Sequence, residues 1–238
     1  MILLSIIIPT FNEEDNPFFI KTLANLSSIE NIEVIIADGG SKDQTQSLVA
    51  QYSFHFFSQE TSSRAARINL GILNAQGAII LLHHPRSILE IQGIEKLKSF
   101  TKDKVWGGFT HRFDIQHPLL KFTSWYSNNI RPRWKKIIYL DHCIFFTRET
   151  SKDIFPISEV DIFEDTIISK LLYQKLGSPI ILPYHSTTWA IRFIKNGVVK
   201  QAVLNQYLKL CYYLKIDHKK MNQQYEKNAK LNSKYKDL

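Results

Sequence analysis

The sequence contains little cysteine and no long hydrophobic run. Only Cys143 and Cys211 occur in 238 residues, and both lie in apolar stretches. We therefore expect two buried thiols in a reducing cytosol, rather than a disulfide framework or a catalytic thiol. No segment approaches the roughly 18 apolar residues of a membrane-spanning helix. The apolar start, residues 1–8, has no basic flank and predicts a strand rather than a signal peptide.

Acidic residues are scarce relative to basic ones. The chain has 22 Asp and Glu against 30 Lys and Arg, a formal net charge of +8. Half of this excess lies in residues 215–238, where seven lysines accompany three acidic residues. Such a tail is either solvated or in contact with an anionic surface, lipid or nucleic acid. Because no nucleic-acid-binding motif accompanies it, we expect no nucleic-acid partner.

The apolar residues that are present, 44% of the chain, follow an α/β pattern and suffice for a sizeable core. Apolar runs predict strands at 5–8, 34–37, 54–57, 78–82, 106–115, 137–146 and 180–182. Helical spacing predicts helices at 14–29, 41–52, 62–75, 88–100, 163–175 and 198–216. This order predicts an α/β fold with a mostly parallel central sheet flanked by helices.

The C-terminal part is expected to be a helical appendage. We divide the chain into a domain, residues 1–197, and an amphipathic helix with a basic tail, residues 198–238. An apolar stripe runs along the predicted helix through Val198, Val199, Ala202, Val203, Tyr207, Leu210, Tyr213 and Leu214. The stripe either packs on the domain or faces a membrane surface or a partner.

Polar loops follow the first two strands directly. The first contains Asn12 and Glu13, and the second begins with Asp38 and continues through glycines to Ser41. In a βαβ unit the ligand binds where strands end, so we expect a polar small molecule there, and a nucleotide is the candidate. Asp38 either accepts a hydrogen bond from this ligand or caps its own turn, and Ser41 is a candidate N-cap of the next helix.

A series of motifs in this order resembles that of the family-2 glycosyltransferases of the GT-A fold, the fold of nucleotide-diphospho-sugar transferases. The resemblance covers nearly the whole chain and is nearest to a subgroup of short bacterial enzymes. The residues that carry it are Pro9–Glu13, Asp38–Ser41 with Asp43 and Thr45, Arg64 with Asn69, Gly71, Ala75 and Gly77, Gly108–Asp114, Asp141-His142, Glu164-Asp165 with Leu171, Leu172 and Gly177, and Arg192–Gly197.

The resemblance implies a role for each matching residue. Asp165 is implied as the base that deprotonates the acceptor, with Glu164 in support. Repulsion between these adjacent carboxylates raises one pKa. Donor binding is implied for Pro9, Thr10, Asn12, Glu13, Asp38, Gly40, Ser41, Arg64, Asn69 and Arg86. The acceptor or phosphate side is implied for Asp141, His142 and Arg192.

Simpler roles remain open for several of these charges. Glu13 is also explained as a charge in the first turn of a helix, and Arg64 as a solvated surface arginine. The Glu164-Asp165 pair is also explained by a helix N-terminus, which favours negative charge.

One motif departs from the family pattern. After the strand at 78–82, the family places a metal-binding aspartate where this chain has Arg86. Mg²⁺ or Mn²⁺ would normally neutralise the diphosphate there. Three interpretations follow: Arg86 supplies the charge itself, neighbours such as His83, His84 or Asp141 hold an ion, or catalysis has been lost. His84 is a weak metal candidate. It cannot form a metal-binding pair with His83, because adjacent residues of a strand point to opposite faces.

The resemblance implies a hexosyltransferase-like enzyme. It would move a sugar from a nucleotide-sugar donor to a sugar, lipid-linked or other small acceptor, with inversion and without an obligatory metal. The alternative is a catalytically silent relative that binds sugar nucleotides as a sensor or scaffold. We expect a cytoplasmic protein with peripheral contact to the inner face of the membrane through the C-terminal helix.

Overall fold

The computed structural model describes residues 2–60, 63–101, 104–229 and 231. Its strands are β1 (Leu4–Thr10), β2 (Ile32–Asp38), β3 (His55–Ser58), β4 (Ile79–Leu82), β5 (Ser87–Leu89), β6 (Trp106–Phe113), β7 (Ile144–Thr147) and β8 (Ile180–Thr188). Its α-helices are α1 (Pro17–Leu26), α2 (Thr45–Val49), α3 (Arg64–Asn74), α4 (Ile91–Leu97), α5 (Pro118–Asn129), α6 (Arg131–Trp134), α7 (Arg148–Ile154), α8 (Glu164–Leu176), α9 (Ile191–Asn196), α10 (Val198–Tyr213) and α11 (His218–Glu226).

These strands form one sheet in the order β3-β2-β1-β4-β7-β6-β8-β5. The first four are parallel, and Leu4 of β1 pairs with Ile32 of β2 and Ile79 of β4. β7 is antiparallel to β4 and β6, whereas β8 is parallel to β6 and antiparallel to β5. The predicted α/β fold is confirmed, and the parallel half brings the ends of β1, β2 and β4 to one edge.

The core lies on both faces of the sheet because β1 alternates its apolar side chains. Ile6 and Ile8 pack in the cluster that includes Phe19 of α1, and Ile7 packs in the opposite cluster with Ile68 of α3. Gly71 lets α3 approach closely, since a Cβ there would lie 2.3 Å from Cγ2 of Ile7. This packing holds α3 against β1 and β2, with Arg67 near its start donating to the Thr10 carbonyl at the end of β1.

Several predicted boundaries differ from the observed ones. α1 begins at Pro17 rather than 14, because Asn16 Oδ1 caps it by accepting from the next backbone N–H groups. α2 begins at Thr45, so Ser41 is not its N-cap. The helix predicted at 88–100 is divided into β5, α4 and a 3₁₀ turn. The 137–146 strand is shortened to β7, and α7 was not predicted.

The C-terminal helices pack differently from the prediction. α10 begins after Gly197, but its buried residues are Gln201, Leu208 and Cys211, and most of the predicted apolar stripe is exposed. Part of the predicted tail forms α11, whose Met221 packs against Leu208. The rest of that tail, 230 and 232–238, lies outside the described residues. Among the described helices, none has both the length and the apolarity to cross a membrane.

Candidate active site

The carboxylate of Asp38 lies at the end of β2 among hydrogen-bond donors. Its Oδ2 accepts from the backbone N–H groups of Gly40 at 2.8 Å and Ser41 at 2.7 Å. The hydroxyls of Thr10, Ser41 and Ser58 donate to it as well. The residue is only 1% exposed. Turn capping, one of the two roles considered for Asp38, is therefore present, and a ligand N–H has to replace a hydroxyl to bind here.

The loops after β1 and β2 are joined to each other. The Asn12 N–H donates to Ser41 Oγ at 2.9 Å, and Asn12 Oδ1 accepts from the Lys42 N–H at 2.9 Å. The Glu14 N–H donates to Asp43 Oδ2 at 3.0 Å. Asn12 adopts a left-handed φ of 51° to make its contacts. Together these bonds make one polar platform at the edge of the sheet.

Arg86, which precedes β5, joins this platform to the end of β4. Its Nη2 lies 2.8 Å from Oε1 and 3.0 Å from Oε2 of Glu13, and both side chains are buried. The same nitrogen donates to the carbonyl of Leu231 at 2.7 Å. Burial raises the pKa of Glu13, and the Arg86 charge opposes the rise. Because α1 begins at Pro17, Glu13 is not the first-turn helix charge considered from the sequence.

Asp165 lies in the first turn of α8 beside Glu164, which is ion-paired with Arg64 at the start of α3. Asp165 Oδ2 accepts from the Leu140 N–H at 3.1 Å. Burial, and then the Glu164 charge, raise the pKa of Asp165 to about 7. Such a carboxyl is partly deprotonated at neutral pH and suits the role of a base. The sequence predicted the direction of this shift but attributed it to repulsion alone.

A cavity of about 230 Å³ collects part of the predicted site. The predicted residues that line it are Arg64, His84, Arg86, Asp141, Asp165 and Arg192. The predicted residues that do not line it are Pro9, Thr10, Asn12, Glu13, Asp38, Gly40, Ser41, Asn69, His142 and Glu164. A carboxyl with a pKa near 7 thus shares a cavity with four guanidinium groups, those of Arg64, Arg86, Arg131 and Arg192. This arrangement suits the removal of a proton from a hydroxyl beside an anionic leaving group.

Comparison with known families identifies the chain. Residues 5–155 match the family model described as glycosyl transferase family 2. The chain belongs to glycosyl transferase family 2. The match includes both platform loops and Arg86 of this family 2 chain, and it ends before Glu164 and Asp165. No curated protein matches the sequence significantly.

Solved structures share the fold of this family 2 chain. The mannosyltransferase PcManGT from Pyrobaculum calidifontis, in complex with GDP-Man and Mn²⁺, has a TM-score of 0.64 at 15% identity; 96% of this chain and 65% of that chain are covered. S. aureus TarS 1-349, in complex with UDP-GlcNAc, has a TM-score of 0.61 at 17% identity, with 78% and 58% covered. This chain therefore spans less than two thirds of the length of these structures.

The end of β4 does not suit a divalent ion. Among the residues that the structure describes, no three His, Cys, Asp or Glu side chains come together as metal ligands. Arg86 occupies this edge with its positive charge. Burial, and then the charges of Arg64 and Arg86, lower the pKa of His84 well below its usual range. We derive no step of the reaction through a metal.

Residues near the C-terminus reach into the cavity of this family 2 chain. Arg192 Nη1 donates to the carbonyls of Tyr225 at 3.0 Å and Ala229 at 2.9 Å, and Nη2 pairs with Glu226 Oε1 at 2.5 Å. Leu231 and Tyr225 line the cavity. The site therefore extends across the predicted boundary at 197, and α11 closes one of its sides.

Two residues predicted for substrate binding have structural partners instead. The side-chain amide of Asn69 accepts from the Ile157 N–H at 3.0 Å and donates to the Ile157 carbonyl at 2.9 Å. His142 is fully buried, with Nδ1 2.9 Å from the Phe109 carbonyl and Nε2 2.6 Å from Ser127 Oγ. Burial lowers the pKa of His142 to about 3, so its ring is neutral. Both residues hold segments that support the cavity.

Sequence reasoning missed several residues that line the cavity. Arg131, Lys209, His111 and Tyr139 all contribute to its wall, and Leu231 closes it. No motif singles out Arg131 from the nearby Arg133, which is exposed. Lys209 is a basic residue beside the apolar residues of α10, and that position is the one signal in the sequence that points to it.

Proposed function

We propose that this chain transfers a sugar from a nucleotide-activated donor to an acceptor hydroxyl with inversion at the anomeric carbon. Asp165 takes the hydroxyl proton, the hydroxyl oxygen bonds to the anomeric carbon, and the bond from that carbon to the diphosphate breaks. The observation that carries the proposal is the cavity in which Asp165, with its pKa near 7, lies with Arg64, Arg86 and Arg192.

The positive charges have a direct part in this proposal. The leaving nucleoside diphosphate gains negative charge as the bond breaks, and guanidinium groups bind phosphate through paired N–H donors. Arg86 supplies charge where the family pattern has a metal-binding aspartate. Because Arg86 is held by Glu13, the donor diphosphate has to share or displace that contact.

The donor nucleoside is proposed to bind on the platform of Asn12, Asp38, Gly40 and Ser41. An N–H group of the donor's nucleobase replaces one of the serine hydroxyls that donate to Asp38. The neighbouring backbone at Pro9 and Thr10 forms the floor of this nucleoside site. UDP- and GDP-sugars are the first donors to test, because neighbouring structures contain UDP-GlcNAc and GDP-Man.

A donor panel tests the proposal. The purified chain is incubated with UDP-, GDP- and dTDP-sugars, with and without EDTA, and release of nucleoside diphosphate is measured. We expect release by the wild type and by the control Asp153→Asn, which changes an exposed aspartate, and none by Asp165→Asn. Equal release by Asp165→Asn would contradict the assignment of the base.

A catalytically silent sugar-nucleotide-binding relative remains the second candidate. The observation that favours it is that Arg64, Arg86 and Arg192 are each paired with a glutamate. Tight binding of one nucleotide sugar without any turnover in the same panel would support this candidate over the first.

We also propose peripheral contact with an anionic membrane through α10. Its exposed apolar side chains are Val199, Val203, Tyr207, Leu210, Tyr213 and Leu214. Lys200 and Lys215 flank them, and Trp134 of α6 is 81% exposed. An apolar face with basic flanks suits the interface of an anionic bilayer.

Vesicle sedimentation tests this contact. We expect phosphatidylglycerol vesicles to sediment the wild type, and Val203→Glu and Leu210→Glu to weaken sedimentation. Ile20→Glu on α1, where the side chain is also partly exposed, is the control and should sediment like the wild type. Equal sedimentation of all the variants would contradict a contact through α10.

A further inference from the structure

One corner of the cavity contains buried polar atoms that have no hydrogen-bond partner. They are Nη1 of Arg131, Nε2 of His111 and Oδ1 of Asp141, and all three residues line the cavity. Most buried polar atoms in proteins are hydrogen-bonded, because leaving one unpaired costs free energy. These three atoms are therefore available to a polar ligand group in this corner of the cavity.

Arg131 is fixed in place by the protein. It lies at the start of α6, is 6% exposed, and its Nη2 donates to Ser127 Oγ. Its guanidinium carbon lies 3.8 Å from the centroid of the Tyr139 ring, a cation–π contact. These contacts orient the guanidinium plane and leave Nη1 for a ligand in the cavity.

A second cation lies on the same aromatic ring. The ammonium of Lys209 is 5.7 Å from the Tyr139 centroid, and Lys209 also lines the cavity. Burial, and then the charges of Arg131 and Lys135, lower the pKa of Lys209 to about 8. Two cations held close together in a partly buried site are stabilised by an anion between them.

The balance of charge distinguishes these cations from the others in the cavity. Arg64, Arg86 and Arg192 each have a glutamate within ion-pair distance. In the described part of the chain, neither Arg131 nor Lys209 has a carboxylate within 4.0 Å. Asp141 approaches the imidazole of His111, with Oδ2 3.6 Å from Nε2. Two cations thus face the carboxylate of Asp141, so positive charge is in excess in this corner.

We propose that Arg131 and Lys209 bind a phosphate group carried by the acceptor substrate. The inference rests on the proposed transfer reaction and names the chemistry of its acceptor. A guanidinium presents paired donors to phosphate oxygens, and the two cations match a group that carries up to about two negative charges. Asp141 Oδ1, which is an acceptor, suits a hydroxyl donor of the same molecule.

The corner lies beside the proposed base. Tyr139, which contacts both cations, is followed by Leu140, whose N–H donates to Asp165 Oδ2. A phosphate held at Arg131 and Lys209 would thus orient a hydroxyl of the same acceptor toward Asp165. Binding of this remote group contributes to catalysis by positioning the reacting hydroxyl.

Calorimetric titration with glycerol phosphate, and with glycerol as the uncharged control, tests the subsite. We expect binding of glycerol phosphate alone, weakened about tenfold or more in Arg131→Gln and in Lys209→Gln. The matched controls are Arg133→Gln on α6 and Lys121→Gln on α5, both of which change exposed residues and should bind like the wild type. Lys209→Gln keeps the test valid should Arg131→Gln fail to fold.

Two outcomes overturn the proposal. The first is an unchanged affinity for glycerol phosphate in both Arg131→Gln and Lys209→Gln. The second is a loss of glycerol phosphate binding only in Arg86→Gln, which would assign the phosphate to the donor side. Nucleoside diphosphate binding is measured in Arg131→Gln and Lys209→Gln and should not change in either. Failure of the wild type to bind any nucleoside diphosphate would count against the proposed function. The phosphate subsite would still be judged by glycerol phosphate binding alone.

The phosphate could belong to a soluble molecule or to a lipid headgroup, and vesicles distinguish the two. Phosphatidic acid vesicles that bind the wild type but not Lys209→Gln, and that glycerol phosphate displaces, assign a lipid-borne phosphate. Binding of glycerol phosphate that vesicles do not displace assigns a soluble acceptor. Vesicle and glycerol phosphate binding that both persist in Arg131→Gln and Lys209→Gln contradict the subsite.

Discussion

The platform after β1 and β2 and the cavity beside α8 differ in how their polar side chains are bonded. On the platform, Asp38 alone accepts five hydrogen bonds from the protein, and Asn12 joins one loop to the other. In the cavity, buried atoms of Arg131, His111 and Asp141 have no such partner. A cluster whose polar atoms are all hydrogen-bonded within the protein contributes to folding. A cluster with unpaired polar atoms is stabilised when a ligand bonds to them. An aspartate therefore has different bonding in the two regions: Asp38 is fully hydrogen-bonded, whereas Asp141 keeps an unpaired oxygen.

The largest expected effect is on turnover, and it tests the cavity side of this comparison. Replacement of Asp165 by Asn removes the base, so kcat should fall roughly 10³-fold. In the wild type, the rate should rise with pH through about 7, where Asp165 loses its proton. Steady-state kinetics between pH 5 and 9 measure both effects.

Although Asp165→Asn should lose activity, it should gain stability at alkaline pH. The folded pKa of Asp165 lies above the unfolded one, so its protonated carboxyl stabilises the fold at acid pH, and that stability is lost as pH rises through about 7. Asp165→Asn should therefore unfold at a higher temperature than the wild type at pH 8. A lower unfolding temperature at pH 8 would mean that the carboxylate is a structural partner, like Asp38.

Arg86 joins the two regions, and its removal should be the most destabilising single change. Arg86→Ala leaves the buried Glu13 carboxylate without its counter-charge, at a cost of about 3–5 kcal/mol. Urea denaturation measures this cost, with Arg133→Ala as the exposed control. The double variant Glu13→Gln with Arg86→Gln should recover part of the loss. No recovery would indicate that Arg86 stabilises the fold mainly through other contacts.

Asp38→Asn tests the platform. The amide keeps the shape of the side chain but leaves an N–H group of Gly40 or Ser41 without an acceptor, which should cost about 2–3 kcal/mol of unfolding free energy. The exposed Asp15→Asn is the control and should be close to neutral. A loss of nucleotide affinity without any loss of stability would reverse the comparison, since it would make Asp38 a ligand-binding rather than a structural group.

The smallest effect is expected for Lys209→Gln. At pH 7 the change should make the fold slightly more stable, because it removes a partly buried charge that has no carboxylate partner. The folded pKa of Lys209 is about 8 and lies below the unfolded one, so wild-type stability should rise with pH from about 8 to 10.5. Urea denaturation at several pH values should show a flatter rise in the variant. An equal rise of the unfolding free energy with pH in both proteins would mean that the Lys209 ammonium is exposed to solvent.

The platform could be predicted because its signals are local. Asp38 and Glu13 each follow an apolar run within a few residues, and parallel strands bring such loops to one edge. The length of α2 was overestimated because the Ser41 hydroxyl is bonded to Asp38 at 2.5 Å and does not cap the helix. A competing side-chain bond of this kind does not appear in helical spacing.

The cavity was harder to predict because it depends on distant packing. Arg131 and Lys209 are far apart in sequence and meet only because α6 and α10 both adjoin Tyr139. β8 was predicted to end before Pro183, but it continues to Thr188 because its pairing with β6 skips a step between Phe109 and Thr110. Such an irregularity accommodates a proline that regular pairing would exclude.

The contacts of Arg192 have a practical consequence for anyone who shortens or extends this protein. Its guanidinium holds the Tyr225 and Ala229 carbonyls and the Glu226 carboxylate, so α11 supplies part of the wall of the cavity. Trimming the lysine-rich end back to α10 would remove the carboxylate partner of Arg192 and open the cavity to water. An affinity tag is therefore better attached before Met1 than after Leu238.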